Sequence, residues 1–497
     1  MSDGSQPDRS PTPARSPWVA VGVVLVGSYA AVLNITVVGV ALPAITDDLR
    51  GGGAPGADWV VTTFLIGVVV VQPLTAWAAD RFGRSRVYVV SLLAFAAGSL
   101  LCALAPGMWL LIGARFVQGL GAGAVMPIGM ATVYELFPPS RRGMAMGVWG
   151  VAIMAAPAVG PPFGGWMVDV ASWRLLFVLF AAFAVAATAL TLRYLPDVGN
   201  REPRPFDLLG WLLASTGVVA LVVGSRQVAD WGPLDTRTLA VAVIGVGVLV
   251  LVVMRSLRQT HPIIEFRIFA VPTFAAGTVV VWLSSMNQLG QLTFLPIELQ
   301  VVRDLEAGHV GVLLAPAAIG VALTMPLGGW LVDRVGARAP VLVGSVLMAA
   351  GTFELSRLRP DGSERSLVLV LILVGVGQGL VFIPTTVATM NSLPTRFVAQ
   401  ASVVNSLNRQ IGGAVGVAAL SAVAVASLGS VAPEAADVVP GDAQDAYNRV
   451  FLVSAVTAVV CAAVCILLPG RRRTMADHRA RAAEIPDQSD QVSAESR

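Results

Sequence analysis

PLTAWAADRFG, from Pro73 to Gly83, returns as PLGGWLVDRVG, from Pro326 to Gly336, with Pro, Leu, Trp, Asp, Arg and Gly in matching places. Each copy ends an apolar run with a carboxylate, a guanidinium and a turn-permitting glycine, the composition of a helix leaving lipid at a membrane face. A second echo, VQGL at Val117 to Leu120 against GQGL at Gly377 to Leu380, lies at nearly the same separation, about 250–260 residues. Both copies of the longer motif close a helix descending to the same side, so the chain reads as two halves of like orientation.

Composition identifies the solvent. Of the 497 residues, 56% are hydrophobic and only 13% charged, and the mean hydropathy is +0.76, far more apolar than a soluble globular chain. Runs of roughly 20 apolar residues, enough to cross a hydrocarbon core of about 30 Å as a helix, recur at 18–44, 58–79, 87–105, 109–136, 144–168, 173–195, 208–229, 237–255, 273–298, 308–332, 340–357, 366–390, 399–427 and 450–469. They predict about fourteen transmembrane helices, six in each half, with the pair at 208–229 and 237–255 as a linker. The expected layout is a disordered tail at 1–17, a six-helix bundle at 18–200, the linker pair within 201–270, a second six-helix bundle at 271–470 and a basic, then polar, tail at 471–497. The first apolar run is too long for a signal-peptide core.

Lysine is absent, so every strongly basic side chain is Arg, as in chains from high-GC bacterial genomes. Loops holding Arg81, Arg84, Arg86, Arg141, Arg142, Arg255, Arg258, Arg334, Arg338 and the Arg471 to Arg473 cluster predict a multi-pass protein of the bacterial plasma membrane with both termini in the cytoplasm. The net charge of +3 is dispersed among these loops and suggests no nucleic-acid partner. Cys102, Cys461 and Cys465 fall inside predicted helices as small apolar residues, and His261, His309 and His478 lie far apart. No disulfide framework, metal site or cofactor is expected, and transport rather than enzyme chemistry is the anticipated activity.

The turn Asp80-Arg81-Phe82-Gly83-Arg84 and its partial copy Asp333-Arg334 are candidates for a cytoplasmic gate. Charge-assisted hydrogen bonds there can latch the halves and break when they rock apart. Arg115, within ARFVQGLGAGAVMP, lies inside a predicted helix, where a cation costs about 2.5–3.5 kcal/mol at the centre. It should face protein, water or substrate, with Gln118 one turn on, while Gly119, Gly121 and Gly123 invite close helix approach. GVAIMAAPAVGPPFGG loses backbone donors at Pro157, Pro161 and Pro162 and offers small faces at Gly150, Gly160, Gly164 and Gly165. It predicts a bent, tightly packed helix suited to sealing the interface between halves.

Taken together, LNITVVGVALP (Leu33 to Pro43), PLTAWAADRFGRSR (Pro73 to Arg86), RFVQGLGAG (Arg115 to Gly123) and PAVGPPFGG (Pro157 to Gly165), followed by SWRLLF (Ser172 to Phe177), resemble the major facilitator superfamily. The specific likeness is to its fourteen-spanner drug:proton antiporters of the EmrB/QacA type, over Trp18 to Pro469. This resemblance implies an all-α membrane protein of the major facilitator fold, two six-helix bundles plus two linker helices. It further implies proton-driven export by a monomer, Asp80 in a cytoplasmic gate, Arg115 in a proton relay, and Pro157, Gly160, Pro161, Gly164 and Gly165 as the antiporter signature. The chain departs from the family at Asn34, where an aspartate is usual and an amide cannot carry a proton, and at Ala76 and Ser85 in the loop motif.

Glu298 is then the best remaining intramembrane acid, with Asn287, Gln288 and Gln291 at helical spacings that could share a cavity-facing stripe. By analogy with the six-plus-six plan, Asn34, Gln72, Gln118, Met126, Met154, Asn287, Gln288, Gln378, Asn405 and Asn408 are expected to line a central cavity. Amides and methionines with few carboxylates suit neutral or weakly charged amphipathic small molecules better than dications. The rival readings are an uncoupled lipid or amphiphile translocator and a membrane sensor that retains the fold.

Overall fold

A computed structural model describes residues 16–49, 56, 58–195, 205–232, 235–359, 362–428 and 440–470. The expected tails lie outside the described residues except for Ser16 and Pro17, and Pro17 already opens the first helix. The described chain is helical: α1 Pro17–Asp48, α2 Asp58–Phe82, α3 Arg84–Ala103, α4 Met108–Leu136, α5 Arg142–Val170, α6 Trp173–Tyr194, α7 Leu208–Trp231, α8 Thr236–Arg258, α9 Pro272–Val301, α10 Ala307–Val335, α11 Arg338–Leu355, α12 Glu364–Asn391, α13 Val398–Leu428 and α14 Pro440–Val464.

Among the described residues, 13 helices are long and apolar enough to cross a membrane, and α9 falls outside that set. Its Ser284, Ser285, Asn287 and Glu298 lower its hydropathy, yet all four are buried, so packing against protein holds this helix rather than exposure to lipid. Helix α14 begins ten residues before its predicted span at 450–469. Ala443, Ala446, Tyr447 and Val450 form a buried stripe at helical spacing, and the polar residues between them mask it from hydropathy.

The halves follow one packing scheme. Helices α2 and α3 flank α4, α1 meets α5 and α6, and α3 meets α6; likewise α10 and α11 flank α12, α9 meets α13 and α14, and α11 meets α14. Glycines carry the match to single residues. A Cβ on Gly119 or Gly123 would lie 2.2 or 2.4 Å from a carbonyl oxygen of α2, and one on Gly121 2.2 Å from the Phe95 nitrogen of α3. On α12, Gly375 and Gly379 press on α10 and Gly377 on α11 in the same way. Gly98 faces Gln118 as Gly351 faces Val374. The counterpart of Gln118 is therefore Val374, and the VQGL/GQGL echo stands one helical turn out of structural register.

The longer repeat holds at the level of backbone conformation, since Gly83 and Gly336 adopt φ of +90° and +86°. Both DRxG turns lie at the end of the bundle that also holds the two ends of the described helical chain. Arg84 pairs with Glu135 near the close of α4, Trp18 packs on Phe137 just beyond it, and the nitrogens of Ala337 and Arg338 donate to the Pro469 carbonyl.

Contacts between the halves are unequal. Helix α5 runs along α10, whereas α13 meets α2 and α4 with α7 laid over the seam. Trp211 Nε1 and Ser215 Oγ of α7 donate to the Val70 carbonyl of α2 at 2.8 and 3.2 Å. On the other seam, a Cβ at Gly143 would fall 2.1 Å from the Gly329 oxygen, and one at Gly329 2.0 Å from the Gly143 oxygen. Gly147 rests on Met325 and Pro326, and Gly150 on Met325 and Ile383.

The inter-half seal therefore belongs to the N-terminal part of α5, correcting the expectation for Pro157 to Gly165. Gly143, Gly147 and Gly150 share the face toward α10, while Gly160 and Gly164 press on Thr36 and Val37 of α1 within their own half. Gly329→Val is expected to weaken the α5–α10 contact by about 1–3 kcal/mol, the range for overpacking. Amide hydrogen exchange over 142–150 should then run several-fold faster than in wild type, and unchanged exchange would show that this contact does not hold the end shut.

Candidate functional site

At the DRxG end, the second motif copy caps a helix of the other half. Asp333 Oδ1 accepts from Gly143 N at 2.9 Å and Oδ2 from Met144 N at 3.0 Å, placing a carboxylate on the unsatisfied amides and positive dipole end of α5. Beside it, Tyr134 Oη donates to Asn391 Oδ1 at 2.6 Å. Arg142 Nη1 reaches the same amide oxygen at 3.2 Å and the Tyr134 hydroxyl at 3.0 Å. These contacts tie α4 and α5 to α10 and α12.

The first copy sits differently. Asp80 lines a cleft with Trp77, Asp207, His261 and Gln400, where the linker loop lies against the start of α13. Gln400 Nε2 donates to the Ile263 carbonyl at 3.3 Å, and Asp207 is held by Arg255 at 2.7 Å. The remaining gate candidates contact their own half: Arg81 lies near the Trp77 and Phe82 rings, Arg84 pairs with Glu135, and Arg334 covers Trp330 at 4.1 Å.

Arg115 is wholly enclosed, with 0% exposure, in the first bundle. Its Nη1 donates to Asn34 Oδ1 of α1 at 2.6 Å and to Gln118 Oε1 at 2.5 Å, and its Nε to the Val60 carbonyl of α2 at 3.0 Å. Gln118 Nε2 passes the chain on to Ser99 Oγ of α3 at 2.7 Å, and the guanidinium stands 4.2 Å from the Phe64 ring centroid. One cation thus joins four helices through neutral oxygens and a π-face. Arg115 Nη2 and Asn34 Nδ2 find no acceptor.

The predicted cavity set divides. Two small adjoining cavities, each with room for about one water molecule in this conformation, lie between the halves and share Phe382. Met154, Gln288 and Gln378 line one, with Ser284, Ser285, Val321 and Met325. Met126 and Asn405 line the other, with Pro127, Met130, Trp149, Val281, Thr386, Ser406 and Arg409. Gln72 instead bridges the halves, donating to Ser406 Oγ and accepting from Gln410 Nε2, both at 2.9 Å.

Asn34, Gln118, Asn287 and Asn408 hold helices together within one bundle and do not line these cavities. Asn287 Nδ2 donates to the Ser454 carbonyl of α14, and Asn408 Nδ2 to the Thr278 carbonyl of α9, each at 2.8 Å. Helix-lining amides read alike in sequence, and only the neighbours of each helix separate the two roles. Glu298 is likewise enclosed at 0% exposure, 3.8 Å from Arg303, instead of facing open space. Sequence reasoning passed over Arg409, whose place in α13 next to Asn408 was the available signal: a cation well inside a predicted span.

The Major Facilitator Superfamily model matches residues 24–417. The chain belongs to this superfamily. It is 33% identical over 404 residues to the multidrug resistance protein B homolog of Mycobacterium tuberculosis strain H37Rv, covering 80% of this chain and 75% of that protein. The tetracenomycin C resistance and export protein of Streptomyces glaucescens is 29% identical over 419 residues, covering 84% and 78%. Among solved structures, the human organic anion transporter MFSD10 (TETRAN) aligns at a TM-score of 0.64 and 15% identity, covering 91% of this chain and 100% of that one, which shows the fold alone.

Within this major facilitator chain the buried Arg115 meets an amide where a carboxylate would pair it. Asn34→Asp would convert the 2.6 Å contact into a charge-assisted one, worth about 1.5–3 kcal/mol. The variant is expected to melt at a higher temperature than wild type at neutral pH, and to lose that advantage as acid protonates the new carboxylate. A lower melting temperature at neutral pH would mean that Arg115 is already fully compensated.

Proposed function

We propose that this chain is a secondary exporter of small amphipathic molecules, a drug:proton antiporter of the EmrB/QacA type working by alternating access. Its place is the bacterial plasma membrane, with the DRxG end and both termini in the cytoplasm, and a single chain suffices. The observation carrying this reading is the cavity between two like-packed halves, shut at the DRxG end by the Asp333 cap on α5 and the Gly143–Gly329 contact. Breaking those bonds on one side while forming others opposite would expose the cavity alternately. The multidrug-resistance and export names of the relatives support the direction and substrate class.

Proton coupling needs a titratable group. With Asn34 in α1, we assign that role to Glu298, which is wholly enclosed beside Gln444 and whose ion pair with Arg303 is long. Arg115 keeps its place in the relay as the fixed charge of the first half. Reconstituted protein should drive an amphipathic dye up its gradient when a pH difference is imposed, and Glu298→Gln should retain downhill flux while losing the response to pH. Wild-type flux indifferent to pH would overturn the coupling and leave an uncoupled translocator; absence of flux would overturn export.

A further inference from the structure

Arg409 stands in the wall of the central cavity formed by α4, α5, α9, α12 and α13. Its side chain is partly covered. Its contact is the Phe382 ring, whose centroid lies 4.8 Å from the guanidinium carbon. Among the described residues, no hydrogen bond or ion pair engages it, and no Asp or Glu lines either of the two cavities. This contrasts with Arg115, whose guanidinium is wrapped by three oxygens. A cation inside a membrane bundle is costly when nothing compensates it, and one ring recovers only part of that cost.

A cavity wall offering a guanidinium, with no carboxylate opposite, lacks an acceptor bearing negative charge. Met126, Met130 and Phe382 supply an adaptable apolar bed beside it.

We infer that the cavity binds amphipathic anions, aromatic or aliphatic bodies carrying one acidic group, with Arg409 as the charge that receives that group. This rests on the export reading above and narrows its substrate class from neutral or weakly charged amphiphiles to acidic ones. Arg409 contacts the acidic group directly, and Phe382 and the methionines take the apolar body. Cationic amphiphiles are excluded, since they would meet an unscreened like charge in a low-dielectric site.

The test uses two probes that share one aromatic body, 8-anilinonaphthalene-1-sulfonate and the uncharged N-phenyl-1-naphthylamine. Saturable binding is measured on the full chain in lipid nanodiscs, with empty nanodiscs subtracted. Arg409→Gln should weaken the sulfonate about tenfold or more, the worth of one charge-assisted hydrogen bond, and leave the uncharged probe within about twofold of wild type. Arg409→Lys, which keeps the charge without the planar fork, should fall between. If Arg409→Gln does not fold, the Lys variant decides alone: several-fold weaker sulfonate binding with the uncharged probe unmoved supports the inference.

Equal loss of both probes, an unchanged sulfonate affinity, or no saturable sulfonate binding to wild type would overturn it. Failure of the export reading would register separately, as absent dye flux in proteoliposomes while the binding difference between the two probes persists.

Discussion

Hydrocarbon offers no hydrogen bonds, so every polar group drawn into this bundle must find its partner in protein or border a cavity. That constraint sorts the intramembrane side chains more sharply than hydropathy does. The Arg115 network illustrates it: an amide from α1, a carbonyl from α2, an amide on its own helix and, through it, a serine from α3 converge on one guanidinium. Shifting any of those helices would strand a buried cation, so the network fixes the first half as one body. Asn287 and Asn408 play the corresponding part in the second half, tying α9 to α14 and α13. Two rigid bodies with few polar ties between them are what a rocking mechanism needs.

The ties between the bodies are not equivalent, and the inequality follows from residues on the page. Paired glycines let α5 and α10 touch backbone to backbone, and the Asp333 carboxylate then completes the open N-terminus of α5. On the opposite seam the hydrogen bonds of Gln72 with Ser406 and Gln410 join α2 to α13, and α7 covers them through Val70. The linker helices are therefore part of the wall: α7 reaches both halves, and the loop after α8 meets α13 through Gln400. A relative rotation of the halves must slide along α7 while it breaks the Asp333 cap.

Much of this was legible in the sequence because lipid leaves few options. Helix number and order, the linker pair and the parallel halves follow from apolar run length and from the DRxG repeat, whose two glycines share a left-handed turn. What stayed hidden depends on which neighbour a given face meets. Gln118 and Gln378 look like partners in sequence, yet one is enclosed beside Arg115 and the other borders the cavity, because the glycine faces that set the packing register lie one turn away. Glycines of α5 that read as one seal split between α10 and α1 for the same reason. Fully apolar helices carry little moment to reveal the face they bury, so side-chain roles emerge only once the neighbours are in place.

Arg115 and Arg409 finally bear on how such a carrier would turn over. Arg115 is compensated by dipoles that move with its own half, so its energy changes little as the halves rock. Arg409 borders the space between the halves, where closure around an empty cavity would strip away water and leave the charge against Phe382 alone. Seating an anion cancels that charge, and occlusion then encloses a neutral pair in place of a bare cation, the less costly of the two in a low-dielectric interior. If the proposed anion binding holds, a carrier built this way would close more readily when loaded than when empty, and that preference would limit futile cycling without any dedicated lock.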